Sequence, residues 1–331
     1  MERVLLLHGG GGEGTWKLIK KVFLKYFDNQ YLSKLEDAAI LELNGKVAYT
    51  TDGFTVKPIF FKGGDIGKLA IAGTVNDLAV MGAKPLYLSV SFVIEEGFPL
   101  MTLEKIVQSM KEEAQKTGVI VVAGDTKVVP KGNLDSIFIS TSGIGKVIYE
   151  GLSASNVKPG DVIIASGSLG DHGACILAER EGFDIEIESD CASLWDLVKN
   201  VLSVGAEIHA MRDPTRGGLS AVLHEWASSS NVSFVIEEEN IPVKEPVRGL
   251  CEFLGLEPYH LACEGRVIIA VKEEDAEKVL QALKEHPLGR DSAIIGRAVP
   301  VEKRPEVLLK TAYDTLRHLE PPTGELLPRI C

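Results

Sequence analysis

Two periodicities alternate along the chain. Trp16, Ile19, Val22 and Phe23 fall at helical spacing behind Thr15, a candidate cap, and predict a helix over 15–27. The same spacing predicts helices over 68–81, 103–117, 170–181, 194–202, 215–228 and 275–286. Short apolar or alternating runs predict strands at 4–7, 47–51, 86–93, 119–123, 137–144, 162–166, 232–236, 267–271 and 294–298. Both halves therefore mix α and β. The stretch YEGLSASNVKPGD, rich in Ser, Gly, Asn and Pro, marks a boundary near 149–161. From about Glu320 the core-forming pattern fades.

Composition narrows the function classes. The chain has 331 residues, 45% hydrophobic and 25% charged, which suits two domains with ordinary cores. A net charge of −12 argues against broad binding to nucleic acid or an anionic membrane, though not against a local cationic pocket. No apolar run approaches the ~20 residues of a membrane span. The opening MERVLLLHGGGG is too short for a signal-peptide core. Five widely spaced cysteines without a Cys-x-x-Cys pair argue against a disulfide framework or a zinc site, and point to a reducing cytoplasm.

Two nucleotide motifs come close and fail. Gly9, Gly11 and Gly14 satisfy G-x-G-x-x-G between a predicted strand and helix, but Glu36 and Asp37 precede the next apolar run instead of ending it. A glycine hairpin and a loop whose N–H groups close over an anion remain as readings, the second being preferred. GGDIGKLA misses a P-loop because position 62 is Lys and position 69 is Leu. The acids say more. Asp37 in LEDAAIL, Asp52 in TTDGF, Asp125 in AGDTKV and Asp213 in RDPTRGGL each stand where a turn or cap acid is ordinary. Asp77 does not. It lies inside the apolar helical stretch AGTVNDLAVMG, where an unpaired carboxylate is costly. Several aspartates without a basic nucleotide loop suggest ATP held largely through Mg²⁺, which meets protein through one or two carboxylates plus phosphates.

Read in order, EDAAIL, TTDGF, GTVNDLAVMGAKP, GDTKVV, GSLGDHGA, RDPTRGGL, CEGRV and the terminal PRIC resemble the HypE family of hydrogenase maturation factors. That family is a branch of the PurM-like ATP-using superfamily, beside aminoimidazole ribonucleotide synthetase and selenophosphate synthetase. The resemblance spans Leu7 to Cys331, and GDTKVV and PRIC are specific to HypE within the superfamily. HGGGG departs from the pattern by lacking a Ser among its glycines.

The resemblance implies an α+β, two-domain PurM-like fold. Residues 1–150 would bind ATP and form a shared β-barrel in a homodimer, 151–305 would form an α/β layered domain, and 306–331 would end in a flexible tail. It implies ATP and Mg²⁺ in the cleft, with Asp37, Asp52, Asp77 and Asp213 as metal-binding acids and Asn76, Asp125, Thr126 and Lys127 among the nucleotide contacts. Cys331 would receive a carbamoyl group from the carbamoyltransferase HypF, and ATP-driven dehydration would turn it into a thiocyanate. The cyano group would then pass to iron on the HypC–HypD complex, for the [NiFe]-hydrogenase centre.

The residues fit that chemistry. Removing water from S–C(=O)–NH₂ requires a phosphorylated oxygen as leaving group and at least one general base. Lys127, Glu264 and His209 are the candidates for phosphate contact and proton handling. Glu264 beside Arg266 also reads as a structural ion pair, His209 as a core histidine, and His172 as a helix-start residue. A chain-end thiol drags nothing into a cleft, and Pro321, Pro322, Gly324 and Pro328 favour an extended arm. From Leu319, that arm reaches up to roughly 40 Å. Two rivals make different predictions. A selenophosphate-synthetase-like kinase calls for a reactive Cys near the glycine loop, and residues 1–20 contain none. A docking scaffold would show no ATP turnover.

Overall fold

The computed structural model describes residues 3–9, 13–34, 39 and 41–322. The first layer begins with a continuous helical run, α1 (Glu13–Leu18), a π turn (Ile19–Phe23) and α2 (Leu24–Phe27). Next come β1 (Val47–Phe54), the two-residue strands β2 (Phe60–Phe61) and β3 (Gly64–Asp65), α3 (Ile66–Val80) and β4 (Ala83–Glu95). The layer closes with α4 (Leu100–Thr117), β5 (Ile120–Val129) and β6 (Ile137–Val147). β2 and β3 pair with each other, and the remaining strands form an open sheet in the order β1-β6-β4-β5, with β5 parallel to β4 and the other pairs antiparallel.

Burial along β4 and β6 alternates, because helices cover one face only. Leu88, Val90, Phe92 and Ile94 pack under α3 and α4, while Ser89, Ser91 and Val93 face the other way. The alternation that predicts the strands thus also predicts an uncovered face.

Past the predicted boundary lies a seven-stranded sheet, ordered β13-β12-β9-β11-β7-β10-β8. Its elements are β7 (Val162–Ala165), α5 (Asp171–Glu181), α6 (Trp195–Ser203), β8 (Ile208–Arg212), α7 (Gly218–Ser230) and β9 (Ser233–Glu237). They continue with α8 (Glu245–Leu254), β10 (Ile268–Val271), α9 (Ala276–Lys284), β11 (Ala293–Val299), β12 (Val307–Lys310) and β13 (Leu316–His318). β7 and β10 are buried at every position, since this sheet is covered on both faces. One face meets α5, α6, α9 and the first layer, and the other packs Leu219, Leu223 and Trp226 of α7 against Ile163, Ile268 and Phe234.

Helix α3 joins the layers. Every residue in it except Lys68 and Asp77 is buried, as expected of a helix that is apolar all round. It packs on β1, β4, β6 and α4, and on α6 and β8 of the second layer. Asp65 caps it, accepting from the N–H groups of Gly67 (2.7 Å) and Lys68 (3.1 Å).

Several expectations change. Residues 4–7 are not a strand. Val4 exchanges two backbone bonds with Phe98 and Gly97, and the chain then winds into a 3₁₀ turn, Leu6–Gly9. Asp52 and Asp125 lie within long strands rather than beside turns. The pattern also missed β8, α8, β12 and β13, which are short or lack a full period. β12 and β13 continue the second sheet beyond residue 305.

Asn76 of α3 stitches the layers. Its Nδ2 donates to the carbonyls of Ala192 (3.1 Å) and Glu264 (3.2 Å), and its Oδ1 accepts from the N–H of Leu194 (2.7 Å). Replacing it strands buried backbone groups, at ~1–3 kcal/mol for each group left unpaired. Asn76→Ala is therefore expected to lower stability by about 2–4 kcal/mol in denaturant unfolding, below the summed penalties because water partly replaces the lost partners. A change within experimental error would show that the junction does not depend on this side chain.

Candidate active site at the layer junction

Four acids gather where β1, α3, the β8–α7 loop and the loop before β10 meet. Asp52 lies on the helix-covered face of β1, opposite Thr141, with its carboxylate over Gly73 of α3. One turn along, Asp77 accepts a hydrogen bond from the Thr50 hydroxyl at 2.7 Å. Asp213 directly follows β8 and is buried, as is Glu264. Gly265 has no room for a Cβ, which would collide with the carbonyl of Asp190. That close approach sets the Glu264 N–H on Asp190 Oδ1 at 3.1 Å.

The acids act on one another. Burial, and then Asp77, pushes Asp52 up to about 6 against the Gly53 N–H and Arg216. Burial, then Asp77, pushes Asp213 up to about 7, with Arg212 opposing. Burial raises Asp77 against the Thr50 hydroxyl and Arg212. Glu264 is held well above the usual range by burial, followed by the charges of Asp213, Asp190, Asp52 and Asp77. Beside them opens a cavity of about 320 Å³ lined in part by Thr50, Asp77, Arg212, Asp213 and Thr215.

This donor set fits a hard dication that also draws ligands from elsewhere. Among the described residues, no three His, Cys, Asp or Glu side chains converge closely enough to hold a metal alone. Mg²⁺ asks for less than that, because it keeps waters and phosphate oxygens alongside one or two carboxylates. Asp37, expected as a fourth acid, and Cys331 lie outside the described residues.

The remaining candidates separate. Asp125 and Lys127 pair with Ser91 and Val93 on the uncovered face of the first sheet. Asp52 is on the opposite face and the opposite edge, three ladder spacings or roughly 14 Å across. A single copy therefore does not bring them together. Thr126 faces the helices and, with Asp125, edges an apolar pocket of about 140 Å³ that also includes Phe23, Phe27 and Phe92. Asn76, expected on the nucleotide, has both ends of its amide engaged by backbone. His209 is buried on β8, some 13 Å of strand from Asp213. Its Nδ1 meets Asp161 at 2.8 Å and its Nε2 meets Glu207 at 2.9 Å, so both nitrogens have carboxylate partners outside the cluster.

Arg266 turns away from Glu264. It lies 3.8 Å from Asp190 and 3.8 Å from Asp171, and donates to the Ser168 carbonyl, so the ion pair read from CEGRV does not form. His172 sits in the first turn of α5, lowered to about 3 by burial and then Arg180, with Nδ1 on Ser189. The cations that face the acids are Arg212 and Arg216. Their position flanking DPT in RDPTRGGL was a usable signal. Asp190, in ESDCAS, carried none.

Residues 35–147 match the AIR synthase related protein N-terminal domain, and 158–307 match the AIR synthase related protein C-terminal domain. Over 335 residues the chain is 47% identical to carbamoyl dehydratase HypE of Rhizobium leguminosarum bv. viciae, covering 99% of this chain and 95% of that one. The chain belongs to the HypE family. A crystal structure of hydrogenase maturation protein HypE in complex with ATP superposes with a TM-score of 0.95 at 47% identity, covering 99% of each chain. HypE from a HypE–HypF complex superposes with a TM-score of 0.81 at 50% identity, over 92% of this chain and 99% of that one. The fold is thus the two-domain PurM-like fold of the HypE family, mixed α and β.

Raised carboxyls make stability depend on pH with a fixed sign. Asp52 and Asp213 bind protons more tightly folded than unfolded, so their contribution is complete below about pH 4 and is lost as pH rises through about 6 and 7. Asp213→Asn should flatten the fall in melting temperature between about pH 5 and pH 8 relative to the parent protein. Added Mg²⁺ should raise the parent's melting temperature more at the upper end of that range. Parallel curves for parent and variant would show that Asp213 is not an energetic member of the cluster.

Proposed function

We propose that this chain is an ATP-dependent carbamoyl dehydratase whose substrate is the carbamoyl group on its own Cys331. The observation that carries the reading is the cluster of the buried Asp213 and Glu264 with the half-buried Asp52 and Asp77, with Arg212 and Arg216 acting on it, in a member of the HypE family. The γ-phosphoryl of ATP goes to the carbamoyl oxygen. The C–O bond then breaks, the oxygen leaves with phosphate, and both N–H protons depart to leave S–C≡N. ADP, phosphate and a proton balance the step.

Asp52, Asp77 and Asp213 would hold Mg²⁺, whose charge neutralises the phosphates during transfer. Arg212 and Arg216 are the in-chain cations for the transferred group. Glu264 is proposed to take a proton from nitrogen, as the buried carboxyl that adjoins the metal-binding acids. His209 is assigned a structural role, locking Asp161 and Glu207.

A homodimer is proposed to cover the open face of the first sheet as a shared barrel. The half-exposed Ser89, Ser91, Ser140 and Ser142 and the exposed Tyr49 support this reading. Asp125 and Lys127 on that face would then reach the nucleotide held by the other copy. HypF is proposed to supply the carbamoyl group and the HypC–HypD complex to accept the cyano group on its iron. The four described cysteines are unpaired and buried, in keeping with a reducing cytoplasm. No described helix is long and apolar enough to cross a membrane.

Intact mass after incubation with HypF, carbamoyl phosphate and ATP tests the steps separately. Cys331→Ala should gain no carbamoyl group, and labelling of that variant removes the carrier role. Glu264→Gln should accept the group and stall there, with a rate loss of about 10²–10⁴-fold for a missing proton acceptor. Complete conversion by Glu264→Gln rules it out as the base.

Asp77→Asn should weaken Mg-ATP binding measured by calorimetry, while the melting temperature without nucleotide holds or rises because a like-charge repulsion is relieved. Unchanged affinity would take Asp77 out of the metal set.

A further inference from the structure

A second cavity, of about 580 Å³, opens at the layer junction and shares no lining residue with the one beside the acids. The stretch that misses a P-loop forms one wall of it. Gly63, at φ +93°, lies where a Cβ would meet the Ser189 carbonyl at 2.6 Å, and the Ser189 N–H donates to the Lys62 carbonyl at 2.9 Å. Lys68 of the same stretch lines the cavity together with Lys116, Lys244 and Arg266. Four cations thus surround one hollow in a chain of net charge −12.

Most of the acids that line it are already engaged or wet. Glu113 accepts from Lys116 at 2.8 Å and from the Ser193 N–H at 2.9 Å. Glu188 and Asp196 are exposed, where water screens them. Asp190 differs. Its side chain is fully enclosed, its Oδ1 accepts from the Glu264 N–H at 3.1 Å, and its Oδ2 has no hydrogen-bond partner among the described residues. Arg266 comes only to 3.8 Å from that oxygen. The guanidinium donates instead to carbonyls, from Nε to Ser168 at 3.0 Å and from Nη1 to Gly265 at 3.1 Å. Its Nη2 makes no hydrogen bond among the described residues and stands 3.8 Å from Asp171 Oδ2. Lys244 reaches the same Asp171 oxygen at 2.7 Å. One run of contacts therefore gathers Lys244, Arg266 and Asp190 on the cavity wall. Two cations have donors to spare, and one buried acceptor has nothing to accept.

This set suits an anion that still carries a proton to give. Hydrogen phosphate is one. Its P–O⁻ oxygens accept from Lys244 and Arg266, and its P–OH donates to Asp190 Oδ2. Sulfate, or a phosphate monoester in its dianionic form, accepts equally well but has no such proton, and would set an oxyanion against the carboxylate. Burial raises the Asp190 carboxyl against Arg266, which favours a partner with which a proton is shared. We propose that this cavity is a binding site for inorganic phosphate, held by Lys244, Arg266 and Asp190. The site is separate from the acid cluster but joined to it by one side chain, since Asp190 Oδ1 holds the Glu264 N–H.

Calorimetry on the full chain at about pH 8, where a phosphate monoester is dianionic, tests the site without Mg²⁺ or nucleotide. Inorganic phosphate should bind about tenfold more tightly than sulfate or methyl phosphate, the difference that one charge-assisted hydrogen bond makes. Lys244→Gln keeps a donor for Asp171 but removes the charge, and should weaken phosphate binding about tenfold. Asp190→Asn keeps an acceptor for the Glu264 N–H and places a donor where Oδ2 stands, so phosphate should lose its advantage over sulfate. Absence of saturable phosphate binding overturns the proposal. Equal affinity of the parent chain for the three anions does so as well, and that comparison needs no variant to fold. Loss of phosphate binding in Arg212→Gln but not in Lys244→Gln would place the anion at the acid cluster instead, and the proposal would fall.

Discussion

Like charges brought together out of water constrain the rest of this molecule. Asp52, Asp77, Asp213 and Glu264 come from four separate segments, and each is raised by burial or by the others. Such a cluster would push itself apart on a soft scaffold. Here it sits against α3, which is buried on nearly all sides. The two layers are fastened across it by Asn76 and by Glu113, whose carboxylate accepts from the Ser193 N–H at 2.9 Å. The fold tolerates the repulsion because the surrounding contacts are apolar, dense and shared between layers. A bound dication and phosphates would turn the same repulsion into affinity.

The two sheets divide the work. The second sheet is covered on both sides and supplies a rigid edge, with Asp213 at the end of β8 and Glu264 just ahead of β10. The first sheet is covered on one side only. Its hidden face holds Asp52 beside α3, and its open face carries Asp125 and Lys127. A residue on the open face can serve a nucleotide only where something covers that face. The period-two geometry of the strands therefore keeps Asp125 and Lys127 apart from Asp52 within one copy.

Local pattern alone determined a good deal. Alternation in 86–93 and 137–144 located strands with one covered face, and the apolar run around Asp77 identified both a buried helix and an acid too costly to be incidental. The order of short motifs along the chain identified the family. Partners across space were not legible. Periodicity says which face a residue occupies but not what lies opposite. Hence Lys127 and Asp52 were both expected at the nucleotide, an ion pair with Arg266 stood as the alternative for Glu264, and Asn76 was expected among the nucleotide contacts. The tertiary structure placed Lys127 across the sheet from Asp52, turned Arg266 to Asp190 and Asp171, and engaged Asn76 with the backbone of residues 192, 194 and 264. It also enclosed His209 between Asp161 and Glu207. Long-range packing decided these pairings, because a buried polar group takes whichever partner the closed core leaves within reach.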